Sequence, residues 1–248
     1  DYDKILSMYQ DRYKDASDFT FIFVGNVDVE AMKPLIAEYL GALPSINRKE
    51  TFKDNKVEMR QGVYKNEFIR QQETPKASNL VFINGTCPYN LKNDILMDMT
   101  SQILDLVYTA KVREDEGGTY GVYSGGQLSK YPKEEAILQI VFETAPEKRE
   151  KLMKIIFAEL DNIAKNGPSE SDLNKVKEFM LKKHAEDLKE NGYWLRSIDE
   201  YLFTGMNPIK DYEQIVNSIT VKDIQKFTDD LFKQKNEIEV SMISPNKE

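Results

Sequence analysis

The chain has 248 residues, 40% hydrophobic and 31% charged, a composition typical of a soluble globular protein rather than a disordered or membrane-embedded one. Its 42 acidic residues outnumber 34 basic ones, and the resulting net charge of -8 repels nucleic-acid phosphates and anionic lipid surfaces. We therefore predict no nucleic-acid partner, and no membrane span either, because no apolar run approaches the roughly 18 residues that a bilayer requires.

The first 56 residues divide into two helices, one strand and a polar linker. Apolar residues at helical spacing predict the helices, and a continuous apolar run closed by Gly25-Asn26 predicts a buried strand between them. The predicted elements are a helix through Ile5–Tyr13, a strand at 19–24 and a helix from Val29 to Leu40. We interpret residues 1–45 as the tail of a preceding α+β domain and residues 46–56 as a linker.

Residues 57–248 carry the pattern of a C-terminal α+β domain. The predicted strands are 57–70, 79–86, 119–129, 135–143 and 238–243. The predicted helices are 91–107, one after Pro146 that ends at Gly167-Pro168, and 169–189, 194–203 and 221–232. We predict a mostly antiparallel sheet with helices on one face, preceded by the strand-helix remnant of a related domain.

An internal echo supports the two-domain interpretation. Six apolar positions of the first helix and strand recur near the C-terminus at one constant offset (224 - 5 = 219). The pairs are Ile5 with Ile224, Met8 with Phe227, Tyr13 with Phe232, Phe19 with Ile238, Phe21 with Val240 and Phe23 with Met242. Helix followed by strand is a common unit, so a chance match stays open as the alternative.

Two segments resemble landmarks of the pitrilysin/insulinase family of zinc metallopeptidases. The first is Asp18–Asp28 with the helix ending Tyr39-Leu40-Gly41-Ala42-Leu43-Pro44, which in that family closes one α+β domain before the next. The second is Arg113-Glu114-Asp115-Glu116-Gly117-Gly118-Thr119-Tyr120-Gly121-Val122, similar to the pattern of the C-terminal half, where an Arg and a Tyr stand seven residues apart. The resemblance implies the C-terminal part that does not bind zinc.

The resemblance implies that Arg113 and Tyr120 contact substrate, with Tyr120 also assisting catalysis. A guanidinium supplies fixed donors for a peptide carbonyl or carboxylate, and a phenol can donate a hydrogen bond to a developing oxyanion. In the alternative interpretation Arg113 is a helix-terminal cation and Tyr120 an ordinary strand aromatic.

The zinc motif of the family is absent from this sequence. An inverted H-x-x-E-H helix needs two histidines with a glutamate between them, whereas His184 is the only histidine. We predict no metal ligand in this chain, a surface or partly buried helical position for His184 and a buried structural thiol at Cys87. The carboxylates of Glu114, Asp115 and Glu116 do not converge on a helix, so we expect them to be solvated.

These observations predict the metal-free, substrate-binding part of a zinc-dependent endopeptidase, inactive alone. Its partners would be a peptide substrate and the N-terminal zinc-binding half of the same protein, which holds the zinc cofactor outside this chain. A non-catalytic structural or chaperone-like module of the same fold is the main alternative, and an unrelated α+β ligand-binding domain is the third. The compartment is not fixed by the sequence, although similarity to bacterial members favours the periplasm or cell envelope.

Overall fold

The structure, a computed structural model, describes residues 1–51, 53–114 and 121–244, and for residues 113 and 114 it describes only the backbone. The helices described are α1 (Tyr2–Tyr13), α2 (Val29–Tyr39), α3 (Leu91–Tyr108), α4 (Arg149–Asn166), α5 (Glu170–Asp187), α6 (Asn191–Thr204), α7 (Tyr212–Ser218) and α8 (Val221–Phe232). The strands described are β1 (Val63–Ile69), β2 (Lys76–Thr86), β3 (Val122–Ser129), β4 (Glu135–Thr144) and β5 (Glu237–Ser244). None of these helices combines the length and apolar character that a membrane crossing requires.

The chain folds into two units. Unit 1 comprises residues 1–56 and 187–205, and unit 2 comprises residues 57–186 and 206–248. Helix α6 therefore belongs to the same unit as α1 and α2, although its position in the sequence lies within the predicted C-terminal domain. The boundaries of residues 1–45, 46–56 and 57–248 stay a prediction.

Unit 2 contains one five-stranded sheet in the order β1-β5-β2-β4-β3. Strand β1 pairs in parallel with β5, while the β5-β2, β2-β4 and β4-β3 pairs are antiparallel. The prediction of an α+β fold with a mostly antiparallel sheet is confirmed.

One face of the sheet packs against the helices of unit 2. Strand residues alternate between two faces, and the buried members of neighbouring strands pair with one another, as Val81 of β2 does with Ile140 of β4. Helices α3, α4, α5, α7 and α8 all contribute buried side chains to the same apolar core as these two residues. The helices therefore form a layer on this face, which burial of their apolar stripes stabilises.

The other face of the sheet, here the open face, carries half-exposed apolar side chains. The described apolar side chains on this face are not part of the apolar core, and they are not among the partly buried side chains that pack against that core. They are Tyr64, Phe68, Leu80, Phe82, Tyr123, Ile137, Val141, Ile238, Val240 and Met242. The sheet is thus covered by the helices of its own unit on one side only.

Local signals in the sequence account for the helix ends in unit 2. The Asn90 side chain accepts a hydrogen bond from the Asn93 amide (2.9 Å) and begins α3. Thr220 and Asp223 form a capping box at the start of α8. Gly167 ends α4 with φ of 76°, a conformation that favours glycine. Of the α-helices and strands described in unit 2, α7 is the one that was not predicted from the sequence.

None of the described residues of unit 1 belongs to the apolar core, whose described members all lie in unit 2. A buried carboxylate holds part of unit 1 together instead. Asp15 is 4% exposed and accepts hydrogen bonds from the amides of Ser17, Ile46 and Arg48 and from the Ser17 hydroxyl. The hydroxyl and the three amides lower the pKa of Asp15 to about 2, although burial acts in the opposite direction.

The predicted strand at residues 19–24 is wrong for this chain. These residues have no regular secondary structure, and Phe19, Phe21 and Phe23 are 37%, 45% and 49% exposed. A strand needs a neighbour to take up its backbone hydrogen bonds, and the described part of unit 1 contains no strand that could do so. The predictions of α1 and α2 on either side are confirmed.

Candidate substrate-contacting site

The candidate site lies between the end of α3 and the start of β3. The last turn of α3 continues into a π-helix at Thr109–Glu114, and β3 begins at Val122. Residues 115–120 lie outside the described residues, as do the side chains of Arg113 and Glu114. The distance between Arg113 and Tyr120, and the direction in which each side chain points, therefore stay predictions. Single turns of π-helix inside α-helices are frequently found at functional sites.

Buried side chains fix the end of α3 against the helix layer. Val112 of the π-helix and Tyr108 are fully buried. The Tyr108 hydroxyl donates to the carbonyl oxygen of Ile156 (3.2 Å), and burial raises its pKa well above the usual range. The backbone that carries Arg113 is thereby anchored one residue before the site begins.

A second anchor ties α3 to the start of β3. The Asp105 carboxylate accepts hydrogen bonds from both the amide and the hydroxyl of Ser124, each at 2.6 Å, and the same hydroxyl lies 3.0 Å from the Ser101 carbonyl. Burial raises the pKa of Asp105, and the hydrogen bonds from Ser124 partly offset that rise. Residues 113–120 thus span two points that the fold holds fixed. This pair was not predicted from the sequence, where the only signal was an acidic residue on a helix bordered by core positions.

The other residues considered for chemistry have structural surroundings. The thiol of Cys87 is buried, and burial raises its pKa to about 11, which confirms the prediction of a buried structural thiol. The prediction of a surface or partly buried His184 is wrong, because this side chain is only 5% exposed and its ring stacks on Tyr212 with the centroids 4.2 Å apart. Within residues 1–51, 53–114 and 121–244, no three His, Cys, Asp or Glu side chains lie together as a metal site would require.

A model of the peptidase M16 inactive domain matches residues 1–180 of this chain. The chain therefore belongs to the M16 peptidase family, the pitrilysin/insulinase family that the two sequence landmarks indicated, and it matches the family's inactive domain.

Curated relatives and solved structures agree with that assignment. A zinc protease PQQL-like protein of Arabidopsis thaliana is 25% identical in an alignment of 213 residues that covers 79% of this chain and 22% of the relative. The periplasmic protease PqqL of Escherichia coli matches 90% of this chain and 25% of its own, with a TM-score of 0.72 and 17% identity. A protease from Helicobacter pylori matches 90% of this chain and 54% of its own, with a TM-score of 0.76 and 17% identity. This chain thus spans about a quarter or less of the PqqL-type proteins that it matches.

Proposed function

We propose that this chain is the metal-free, substrate-binding part of a zinc-dependent endopeptidase and forms one wall of its peptide chamber. The observation that carries the proposal is the open face, where half-exposed apolar side chains of all five strands stand without a helix of unit 2 over them. An unfolded peptide presents apolar side chains, and a surface of this kind gains free energy by covering them. The segment of the candidate site joins the sheet at β3, along one edge of this face.

Within that wall, Arg113 orients a carbonyl or terminal carboxylate of the peptide, and Tyr120 donates a hydrogen bond near the scissile group. The anchors at Val112 and at Asp105–Ser124 support this role, because a catalytic donor is effective only when the fold holds its backbone in place before substrate arrives. The N-terminal half of the same protein would supply the zinc ion and the general base. This chain alone would hydrolyse nothing.

Unit 1 fits the tail of a preceding domain. The first residues of α1 and α8 are 219 positions apart, and so are their last residues (221 - 2 = 219 and 232 - 13 = 219), which is the offset of the internal echo in the sequence. At that offset residues 19–24 correspond to 238–243 of β5, a strand paired on both sides. We propose that residues 19–24 complete a similar sheet when the preceding domain is present. Because the E. coli relative is named a periplasmic protease, we also assign the full-length protein to the periplasm or cell envelope.

The proposal predicts that Tyr120→Phe in the full-length protein lowers kcat/KM for peptide hydrolysis by roughly tenfold or more, mainly through kcat, because an oxyanion donor acts in the transition state. The matched control is Tyr39→Phe, which removes the same hydroxyl from a side chain that is 66% exposed on α2, outside the sheet of unit 2 and its open face. Unchanged kcat and KM in Tyr120→Phe would refute the catalytic assignment.

The alternative of a structural or chaperone-like module makes a different prediction for the full-length protein. The endopeptidase proposal requires an H-x-x-E-H helix elsewhere in it, and activity that a chelator removes and zinc restores. A full-length protein with neither property, but with stable binding to unfolded peptides, would establish the structural module instead.

A further inference from the structure

Strand β1 is an edge strand with an exposed apolar surface. It lies at one end of the sheet, next to β5, and no other described strand lies beyond it. Val63, Phe68 and Ile69 are 60%, 42% and 74% exposed. Exposed edges with apolar side chains pair readily with other strands, so proteins usually cover or block them.

The direction of the β1 backbone groups follows from the hydrogen bonds just outside the strand. The Gly62 carbonyl accepts from the Glu237 amide (3.1 Å), and the Arg70 amide donates to the Ile243 carbonyl (2.9 Å). In a parallel pair, alternate residues direct both backbone groups to the same neighbour. The even-numbered residues of β1 therefore face β5, and Val63, Lys65, Glu67 and Ile69 direct their amides and carbonyls outward.

The sequence of β1 is complementary to itself when two copies run antiparallel. With Asn66 opposite Asn66 of a second copy, Lys65 faces Glu67, Tyr64 faces Phe68 and Val63 faces Ile69. Each pair joins opposite charges, two aromatic rings or two branched aliphatic side chains, the combinations that stabilise neighbouring strands. The outward residues Lys65 and Glu67 then meet as a hydrogen-bonded pair, as the backbone direction requires, and Asn66 forms a non-hydrogen-bonded pair on the two-fold axis.

Neighbouring registers are less favourable. A shift that centres the axis on Lys65 or on Glu67 keeps the backbone hydrogen bonds but places like charges directly opposite each other, which destabilises the pair. Of these three registers, the one centred on Asn66 is the one that satisfies the backbone, the charges and the apolar side chains together. A two-fold axis also gives each copy the same patch, as isologous dimers require.

We propose that two copies of this chain associate through β1, in the register centred on Asn66, and extend the sheet into a continuous ten-stranded one. Within one chain Lys65 forms an ion pair with Glu239, and Glu67 lies 2.7 Å from the Arg149 guanidinium. The side chains of Lys65 and Glu67 are nevertheless 64% and 53% exposed, so each can also meet its counterpart. The inference does not depend on the proposed function, because it uses only the edge position and the sequence of β1, and its test measures association rather than peptide hydrolysis.

Charge substitutions at Asn66 test the register through its two-fold axis. Asn66→Lys and Asn66→Asp each place two like charges face to face, so analytical ultracentrifugation should give a dimer dissociation constant at least tenfold above that of the unchanged chain. An equimolar mixture of the two variants places opposite charges face to face and should restore the dimer. The matched controls are Asn174→Lys and Asn174→Asp on the exposed surface of α5, which should leave the dimer intact.

A covalent version of the same test uses Asn66→Cys. Non-hydrogen-bonded pairs hold their Cα atoms about 4.5 Å apart, within the range of disulfides, so mild oxidation should convert this variant into a covalent dimer. Asn174→Cys should stay monomeric on denaturing gels, since Cys87 is buried. A chain that is monomeric throughout the micromolar range, or an Asn66 mixture that does not re-form the dimer, would overturn the proposal.

Discussion

Two glutamates of β5 that stand two residues apart direct their carboxylates toward the helix layer. Glu237 and Glu239 pair across the sheet with Ile83 and Val81, whose side chains belong to the core. Their own side chains are only 18% and 7% exposed, and Lys65 is the cation beside them. Burial, together with the neighbouring carboxylate of Glu239, raises the pKa of Glu237 to about 7. At this position ionisation therefore opposes folding.

The sign of this effect predicts the behaviour of Glu237→Gln. The folded protein holds a proton on Glu237 above its ordinary pKa of 4.5, so the free energy of unfolding falls as the pH rises from about 4.5 to about 7. Glutamine keeps the neutral form at every pH, and the variant should be more stable than the unchanged chain at pH 8 by about 1 to 2 kcal/mol, allowing for solvent screening. Urea unfolding at pH 4.5, 6 and 8 measures the difference, which should shrink at the acid end.

Glu143→Gln is the control, because it should change the free energy of unfolding in the opposite direction. Hydrogen bonds from Lys76 and Ser78 lower the pKa of Glu143, so its ionised form supports the fold. That stability is present above the ordinary pKa of 4.5 and is lost as the pH falls below it. The Gln variant should lose a few tenths of a kcal/mol at pH 8, as exposed pairs do. If both variants changed stability in the same direction at pH 8, the assignment of Glu237 would be wrong.

Some features of the candidate site can be predicted from the sequence, and others cannot. The position of Arg113 and Tyr120 at a helix-to-strand junction follows from the apolar periods on either side, and the structure places α3 and β3 as those periods predict. The Asp105–Ser124 anchor could not be predicted, because it depends on two residues that the fold of α3 on β3 brings together. A carboxylate 19 positions from its partner has no periodic signal.

The contact between α3 and β3 depends on a strand residue without a side chain. A Cβ on Gly126 would lie 2.2 Å from the Met97 sulfur and 2.9 Å from the Ser101 hydroxyl. The neighbouring Gly125 faces the other side of the sheet, where a Cβ would meet the Tyr123 hydroxyl at 2.7 Å. Alanine substitutions at these two adjacent glycines therefore test the packing on the two faces of the sheet separately.

We predict that Gly126→Ala lowers the free energy of unfolding by about 1 to 3 kcal/mol, because overpacking between a helix and a strand forces backbone shifts. Gly125→Ala should cost less than Gly126→Ala, since the tip of an exposed tyrosine can move aside. Thermal and urea unfolding measure both. In the full-length protein Gly126→Ala should also reduce peptide hydrolysis, because it displaces the start of β3 and with it the segment 113–120. Equal losses in the two variants would contradict the assignment of α3 to the face of Gly126.

An element of the fold could be predicted where the chain contains both its local sequence pattern and the neighbouring element with which it pairs or packs. The alternation Ile238-Glu239-Val240-Ser241 predicts a strand, and β5 forms because β1 and β2 receive its hydrogen bonds. Residues 19–24 have an equally strong apolar pattern, yet they form no strand in unit 1. An apolar run reports the tendency to be buried, while a strand requires a second strand whose position a single sequence does not reveal.

At the scale of the whole molecule, stability is distributed unevenly between the two units. The apolar core lies entirely in unit 2, whereas α1, α2 and α6 present large apolar side chains to solvent. Tyr2, Ile5 and Tyr39 are each at least 66% exposed, and so is Phe203 of α6 with 69%. Short helices without a packed apolar face are only marginally stable in water. Unit 1 should therefore open at a much lower free energy than unit 2.

Native-state hydrogen exchange followed by mass spectrometry tests this expectation. Amides of α1, α2 and α6 should exchange within seconds to minutes, while those of α3, α8, β2 and β4 should exchange only with global unfolding, because buried apolar contacts set the free energy of local opening. The same experiment on the full-length protein separates two explanations. If a preceding domain covers unit 1, α1 and α2 and residues 19–24 should become slow, since the strand would gain backbone partners and the helices a packed face. Slow exchange of α1 and α2 already in this chain would show that unit 1 is stable without that cover, and the role proposed for it as the tail of another domain would then lack its physical basis.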